Sequence, residues 1–471
     1  MRDERLEYIA CVRELAGDLD GRAAALGAMA ASDATFHDRP LEFPYVPYLL
    51  SPADRAWLAG EMKTMHGILE KVIARYLDDP AYRGLFHFPT EVDELVRLPC
   101  AYGSLLPMCR LDVFLDEEDL SYKFCEFNTD GSGAMSRDAE MASALMGTPS
   151  FESFAAGHES VRPFELFDSW VAAFLSCWRE HAATTGAIGH AAPAGAPPET
   201  APGLPSVAIT DFTESGVMSD FTRFISAFER AGCSARFTDA RHFTFDGEHL
   251  RDAADGHIID AIYRRAVTSE LIGHLGECQP LIDAVREQKV CLVGHFRTTV
   301  VHSKMVNVAL FDERTAEFLE PAEIAFIEEH VPRTWRLRTD GRGRGFDVDR
   351  VLADKDSWII KPEDDYGAHG VYPGVDCTEV EWRELVASKT NAGYVAQEYC
   401  RVPEVPIVNT RVWGADEDGE GGDPLKVELW QSMPGAYLYN GEMAGLYCRL
   451  GQEGVIALDH GGLCAPSFRV D

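Results

Sequence analysis

The sequence predicts an α/β protein in which α+β lobes accompany a small doubly wound parallel sheet. Three observations lead to this fold class: helical periodicity at the start, paired apolar strands after residue 100, and strand–helix alternation farther on. The 471 residues, 46% of them apolar, are enough for about two or three packed modules. We divide the chain into 1–95, 96–180, 181–205, 206–300 and 301–471.

Segment 1–95 is predicted to be helical. Apolar residues recur at helical spacing from Leu6 to Leu15, and a second helix is expected in SPADRAWLAGEMKTMHGILEKVIARYL. We expect Ser51 to cap this second helix and Pro52 to open it, because a proline at the first position gives up no helical hydrogen bond.

Segment 96–180 opens with two strand-like stretches, LLPMCRLDVFLD and LSYKFCEFNTD, separated by the acidic turn DEED. Aromatic and branched residues favour strands, and the short turn favours antiparallel pairing. Residues 151–180 return to helical spacing. Segment 181–205, rich in Ala, Gly and Pro, is expected to be a flexible linker.

Segment 206–300 alternates strands, such as SVAITDF and SARFTDA, with helices, which predicts a parallel doubly wound sheet. Segment 301–471 is expected to be helical to about 335. Beyond that we expect the hairpin SWIIKP–DDYGAHG–VYPGV, the helix TEVEWRELVASK, and the strands YVAQEYC, KVELWQSMPGAYLYN and EMAGLYCRLG. ADEDGEGGDP is expected to be a polar hairpin loop.

The charge balance excludes some classes of partner. There are 43 Lys+Arg against 77 Asp+Glu, a net charge of −34, which should repel nucleic acid and anionic membranes. No signal peptide is recognisable, and no apolar run approaches the roughly 20 residues that cross a bilayer. The twelve Cys form no CxxC pair, so we expect reduced thiols in a cytoplasmic protein.

The paired strands after residue 100 carry the first candidate site. Arg110 and Asp112 are two residues apart, as are Glu126 and Asn128, so each pair shares one face of its strand. Pairing of the strands brings Asp112, Glu126 and Asn128 together as oxygen donors suited to Mg²⁺, with Arg110 beside them for a phosphate. The alternative is a partly exposed ion pair between Arg110 and one of the carboxylates.

The hairpin near residue 360 carries the second candidate site. Lys361 ends an apolar strand, and Gly367 and Gly370 follow in the loop, which suits a polyphosphate approached by an ammonium and by backbone N–H groups. The alternative is a hairpin with an edge lysine. Gln397 and Glu398 interrupt another apolar strand. This fits either adenine recognition, in which a backbone N–H near Tyr399 donates to the ring, or a strand with one wet face.

In this order the motifs resemble those of the circularly permuted ATP-grasp enzymes typified by glutathionylspermidine synthetase. The resemblance runs from roughly residue 97 to the end of the sequence. It rests on RLD at 110–112, EFN at 126–128, HSKMVNVAL with Lys304, the hairpin from Lys361 to Gly370, YVAQEY, and GAYLYNGEMAGLYCRLGQEGVIALDHGG. It implies a permuted ATP-grasp fold with 206–300 as its pre-ATP-grasp domain.

The resemblance also implies roles for single residues. These are a γ-phosphate contact by Arg110, two Mg²⁺ held by Asp112, Glu126 and Asn128, phosphate contacts by Lys304 and Lys361 under the glycine loop, and adenine contacts by Gln397, Glu398 and Tyr399. The implied reaction is ATP-dependent: a carboxylate is phosphorylated to an acyl phosphate, and an amine then displaces phosphate to form an amide.

The identities of the acid and the amine do not transfer with the resemblance. The net charge of −34 would steer a cationic amine such as a polyamine toward the protein. Two alternative functions are a phosphoryl transferase or non-ligase member of the same fold, and a non-catalytic protein that acts through its acidic surface. The latter gives no reason for the four polar strand residues to converge.

Overall fold

A computed structural model describes residues 1–36, 39–190, 203–339, 348–364, 369–412 and 422–471 of the chain. Its helices are α1 (Arg2–Glu14), α2 (Leu19–Ala31), α3 (Pro52–Asp78), α4 (Pro80–Arg83), α5 (Thr90–Val96), α6 (Met135–Met146), α7 (Pro149–Ala155), α8 (Asp168–Thr185), α9 (Met218–Arg230), α10 (Thr268–Gly273), α11 (Gln279–Arg286), α12 (Thr299–His302), α13 (Met305–Ala309), α14 (Glu313–Ala316), α15 (Pro321–His330), α16 (Val348–Ala353) and α17 (Glu379–Lys389).

Its strands are β1 (Thr35–Phe36), β2 (Arg39–Pro40), β3 (Tyr48–Leu50), β4 (Met108–Leu115), β5 (Tyr122–Asn128), β6 (Val161–Pro163), β7 (Ser206–Asp211), β8 (Ser234–Asp239), β9 (Phe243–Phe245), β10 (Leu250–Asp252), β11 (Ile258–Ile259), β12 (Ala261–Arg264), β13 (Cys291–Val293), β14 (Thr334–Arg336), β15 (Trp358–Pro362), β16 (Tyr372–Pro373), β17 (Tyr394–Glu398), β18 (Glu404–Ile407), β19 (Glu428–Tyr439), β20 (Glu442–Gly451), β21 (Leu463–Ala465) and β22 (Ser467–Val470).

The largest sheet joins the early strand pair to the last third of the chain. Its order is β21-β20-β19-β4-β5, and β18 pairs with the first half of β19. β4 and β5 are antiparallel, as predicted, with Arg110 opposite Asn128 and Asp112 opposite Glu126. The sheet therefore places residues from the two ends of the chain on neighbouring strands.

The first 95 residues are mostly helical, and Ser51 and Pro52 begin α3 as predicted: the Ser51 hydroxyl accepts from the N–H of Asp54. The expectation of helix alone was incomplete. β3 lies parallel to β22, which pairs on its other side with β6. β3 is a short run of three buried apolar residues, and so short a run has no periodicity to separate strand from helix.

The strand–helix alternation after residue 206 forms the predicted parallel sheet, in the order β13-β12-β7-β8. A small antiparallel sheet, β11-β10-β9, lies beside it and was not anticipated. α8 continues to Thr185, past the predicted start of the linker, and ends at Gly186 in the left-handed region at φ 75°. The remainder of the linker between 191 and 202 lies outside the described residues.

The last third contains a second antiparallel sheet, in the order β14-β17-β15-β16. The predicted hairpin is present as β15 and β16, and α17 is capped by the Thr378 hydroxyl. The helical stretch expected to 335 stops earlier, because β14 begins at Thr334. Most of the predicted polar loop, residues 415–421, lies outside the described part of the chain. Among described residues, no helix combines the length and apolar character needed to cross a bilayer.

Asp138 ties α6 to β22 deep in the protein. Its Oδ1 accepts from the backbone N–H and the hydroxyl of Ser467, each at 2.9 Å, and the residue is 1% exposed. Its Oδ2 has no hydrogen-bond partner among the described residues. Burial raises the pKa of Asp138 from its ordinary 3.8 to about 7, although the two Ser467 hydrogen bonds work in the opposite direction.

We expect Asp138→Asn to stabilise the protein at about pH 8 and to change its stability less at about pH 5. A folded-state pKa above the unfolded value means that the ionised Asp138 destabilises the fold, increasingly as pH rises from about 4 to about 7. The amide keeps the Oδ1 acceptor and carries no charge. Denaturant unfolding at the two pH values measures the difference, expected at about 1–4 kcal/mol. The exposed Asp3→Asn is the control, and equal effects at both pH values would contradict the assignment.

Candidate active site

A cavity of about 380 Å³ lies between three parts of the protein. These are the sheet that contains β4 and β5, the sheet that contains β15 and β17, and the carboxyl ends of β7 and β12. Its polar wall contains most of the predicted site residues. These are Arg110, Glu126, Asn128, Lys304, Lys361, Gln397, Glu398 and Tyr399. The early strand pair and the lysine hairpin therefore face the same space.

Asp112 lies beneath this wall and does not line the cavity. It is 0% exposed, and its carboxylate receives Arg110 Nε at 2.8 Å and Nη2 at 3.2 Å, together with a hydrogen bond from Arg449. Asn128 Nδ2 adds a fourth donor at 2.8 Å. Arg110 also lies 5.1 Å from the ring centre of Tyr447. The partly exposed ion pair considered from the sequence is instead a buried network.

Gly435 on β19 leaves the space that this network occupies. It is the register partner of Asp112 on β4, and a Cβ at Gly435 would lie 2.1 Å from Asp112 Oδ1 and 3.0 Å from Arg110 Cδ. The first distance is shorter than a carbon atom tolerates, and the second is unusually tight. The absence of a side chain at this position is thus a condition for the Arg110–Asp112 contact.

Glu126 and Asn128 present oxygen atoms to the cavity among several cations. Lys304 Nζ lies 3.3 Å from Glu126 Oε1. Burial works to raise the pKa of Glu126, but neighbouring cations, with Lys304 first among them, outweigh it and hold that pKa at about 2. Asn128 turns its Nδ2 toward Asp112 and Glu126, and so its Oδ1 away from both. An ionised carboxylate and an amide oxygen fit a divalent cation such as Mg²⁺.

Lys361 is buried on an inner strand of its sheet, which rules out the edge-lysine alternative. It is 8% exposed, and its Nζ donates to Gln397 Oε1 at 2.8 Å. Gln397 Nε2 donates in turn to the Thr334 hydroxyl at 2.9 Å. The Gln397 side chain therefore orients the lysine. Its own amide oxygen and nitrogen are both used in these hydrogen bonds.

The backbone N–H groups after Gln397 are also committed. Glu398 donates its N–H to Arg333 O, and Tyr399 donates its N–H to Ser357 O, both at 2.9 Å. The backbone donor expected for adenine near Tyr399 is thus used within the sheet. Ile359, Met433 and Ile456 also line the cavity. They provide an apolar surface against which a planar ring could pack.

Glu363, the acidic residue that directly follows β15, does not line the cavity. The Glu363 carboxylate is held by Arg336, with Nε–Oε1 at 2.7 Å and Nη2–Oε2 at 3.0 Å. Its negative charge is therefore compensated and does not oppose an anion. Gly370 adopts φ 66°, a left-handed conformation that favours glycine, whereas Gly367 lies outside the described residues.

The structure adds cavity residues to which the sequence assigned no role. They are Arg449 on β20, Arg137 on α6, Arg265 just after β12, Asp211 at the end of β7, and Glu270 on α10. Arg449 lies 337 residues from Asp112 in sequence and reaches it only through the pairing of β20, β19 and β4. The one sequence indication for Asp211 and Arg265 is that ligands bind at the carboxyl ends of parallel strands.

The fold has counterparts among solved structures. A glutathione synthetase-like effector from Globodera pallida, in its apo form, matches with a TM-score of 0.57 over 96% of this chain and 97% of its own, at 11% sequence identity. A protein from Methylobacillus flagellatus KT, provisionally named a gamma-glutamylcysteine synthetase, matches over 84% and 86% at 13% identity, but its TM-score of 0.38 is too low to establish a common fold. No family model and no curated protein matches the chain.

We expect Gly435→Ala to destabilise the protein by about 1–3 kcal/mol, because the new methyl group must displace the buried Arg110–Asp112 contact. Denaturant unfolding measures the loss. Gly60→Ala is the control: it lies inside α3 with no atom within 4 Å of the added Cβ. In that helix alanine should instead stabilise by about 0.5–1 kcal/mol. Equal behaviour of the two variants would contradict a steric role for Gly435.

Proposed function

We propose that this chain is an ATP- and Mg²⁺-dependent carboxylate–amine ligase of the circularly permuted ATP-grasp type, similar to glutathionylspermidine synthetase. One observation carries the proposal. Four basic side chains from distant parts of an acidic chain, Arg110, Lys304, Lys361 and Arg449, meet around one cavity beside the ionised Glu126. Such a local reversal of charge suits a polyphosphate. The fold shared with a glutathione synthetase-like effector supports the proposal.

ATP would lie with its base between the sheet of β15 and the sheet of β19, against Ile359, Met433 and Ile456. The phosphates would extend toward Lys361 and Lys304. Lys361 is already aimed by Gln397, so little side-chain freedom would be lost when the nucleotide binds. His369 and Val371, on either side of Gly370, line the cavity, and exclusion of water there would protect an acyl phosphate from hydrolysis.

Mg²⁺ would be held by Glu126 and Asn128, whose oxygens border the cavity. The chemistry it would supply when bound is positive charge that offsets the negative charge of the phosphates. Asp112 contributes differently in this arrangement: its contacts with Arg110 and Arg449 hold both guanidinium groups at the phosphate end of the site. Direct ligation by Asp112 would require these contacts to open.

The proposed reaction has two steps. In the first, a substrate carboxylate oxygen attacks the γ-phosphorus, the bond from that phosphorus to the ADP oxygen breaks, and ADP leaves with the electron pair. Arg110 and Arg449 stabilise the transferring group. In the second, an amine nitrogen attacks the acyl carbon, the carbon–oxygen bond to phosphate breaks, and phosphate leaves. The proton released by nitrogen passes to a carboxylate, for which Asp211 and Glu270 on the cavity wall are candidates.

We expect wild-type protein to release ADP over many turnovers only when an acid and an amine are both present, with a condensed product detected by mass spectrometry. Arg110→Ala should lower kcat by about 100-fold or more, because it removes a charge from the phosphoryl-transfer site. The fold should survive, since Asp112 keeps Arg449 and Asn128 as donors.

The control for this variant is Arg97→Ala, a surface arginine paired with Asp93 outside the cavity. Retention of most activity by Arg110→Ala would refute its γ-phosphate role. A phosphorylated product in place of an amide would instead identify a phosphoryl transferase of the same fold.

We expect Glu126→Gln to weaken binding of ATP in the presence of Mg²⁺ by about tenfold, since a carboxylate ligand becomes a neutral amide. Binding of ATP with a chelator present should change much less. Isothermal titration calorimetry measures both, and the exposed Glu94→Gln on α5 is the control. An unchanged affinity for Mg-ATP would exclude Glu126 as a metal ligand.

A further inference from the structure

Part of the cavity wall is not used by the proposed nucleotide and metal contacts. It is built by the carboxyl ends of β7 and β12 and by the loop between β5 and α6. Two guanidinium groups reach this region, Arg265 immediately after β12 and Arg137 in the first turn of α6. Because the surface of the protein is strongly acidic, two further cations on an inner wall call for an explanation.

Arg265 is buried and incompletely paired. Its side chain is 3% exposed, and its guanidinium carbon lies 5.3 Å from the ring centre of Phe221 and 5.7 Å from that of Tyr263. Nη2 donates to Asp220 at 3.2 Å, whereas Nε and Nη1 have no hydrogen-bond partner among the described residues. Both atoms are shielded from the cavity in this structure. A buried donor without a partner is costly, and a small rotation of the guanidinium group toward an anionic ligand would satisfy it.

Arg137 repeats this arrangement at lower burial. Its guanidinium carbon lies 5.6 Å from the ring centre of Phe36, and Nη1 lies 3.5 Å from the Tyr447 hydroxyl. Its Nε has no partner among the residues that the structure describes. Two guanidinium groups held against aromatic rings, each with unused donors, are suited to a carboxylate.

This region adjoins the proposed phosphate end of the site. A Cβ at Gly133 would lie 2.2 Å from Arg265 Nη2, and the carbonyl oxygen of the same residue lies 3.4 Å from Arg110 Nη1. Arg265 and Arg110 thus approach one glycine from two sides. A small substrate bound at Arg265 would have its other groups within reach of the reaction centre.

Carboxylates complete the region. Asp211, 8% exposed, and Glu270 both line the cavity, and Glu270 accepts a hydrogen bond from the Ser215 hydroxyl. Asp220, by contrast, is committed: it accepts from the N–H groups of Ala134 and Ser136 as well as from Arg265. The wall therefore offers cationic donors and anionic acceptors side by side, which matches a zwitterion.

Given the proposed ligase function, we infer that Arg265 and Arg137 form a carboxylate-binding subsite, so that one substrate is an amino acid whose amino group faces Asp211 and Glu270. A polyamine lacks the carboxylate and would place ammonium groups against two guanidinium groups, which costs affinity. The local charges of the cavity thus argue against the polyamine that the net charge alone would steer toward the protein.

Two pairs of probes that differ only by a carboxylate test the subsite: L-ornithine against putrescine, and L-alanine against ethylamine. Saturation-transfer NMR on wild-type protein measures binding without ATP, so the result does not depend on ligase turnover. We expect the carboxylate member of each pair to bind about tenfold tighter or more. Arg265→Gln should abolish that preference, and Arg265→Lys should retain part of it.

Arg137→Gln is a second variant, less buried than Arg265, and should weaken the same preference. Arg236→Gln is the control, because Arg236 pairs with Asp255 outside the cavity. Thermal melting of every variant separates a local effect from loss of fold. Equal binding within each pair, tighter binding of the decarboxylated amines, or no binding of any probe would overturn the subsite. Failure of wild-type protein to bind Mg-ATP would overturn the ligase proposal instead.

Discussion

The arrangement of the site depends on the burial of one carboxylate. Asp112 has no contact with solvent, and an isolated charge in that position would be prohibitively costly. It is compensated by Arg110, Arg449 and Asn128, which come from three strands, β4, β20 and β5, of one sheet. The charge of Asp112 is compensated only when these strands are in register. Correct assembly of the sheet therefore also positions the two guanidinium groups.

Charge is divided sharply between the outside and the inside of the protein. The chain carries −34 overall, yet the wall of the cavity collects lysines and arginines around Glu126. Each of these cations is restrained: Lys361 by Gln397, Lys304 by Glu126, and Arg110 by Asp112. Restrained charges lose little entropy when a ligand arrives, and they keep their directions in its absence. The cavity is therefore organised before any ligand is present.

The sequence was informative where geometry is local. Alternation along β4 and β5 places Arg110 with Asp112 and Glu126 with Asn128, and their pairing follows from one short turn. It was not informative about which of these side chains reaches the open space. β4 is covered on both faces, so a spacing of two residues cannot tell a cavity-lining position from a buried one, and Asp112 lies inward. Nor does local spacing reveal Arg449 or Arg265, because each enters through contacts between strands far apart in sequence. The commitment of the Tyr399 N–H to Ser357 is likewise a property of the assembled sheet.

The small sheet β3-β22-β6 has a consequence for how the chain acquires its structure. Tyr48 on β3 pairs with Ser467 on its parallel partner β22, so the two strands are far apart in sequence. During synthesis on the ribosome β3 has no pairing partner until β22 has been made. Contacts of such large sequence separation are slow to form, and the apolar residues of β3 remain uncovered in the meantime. Until then β3 is an uncovered apolar segment of the kind that aggregates or binds chaperones.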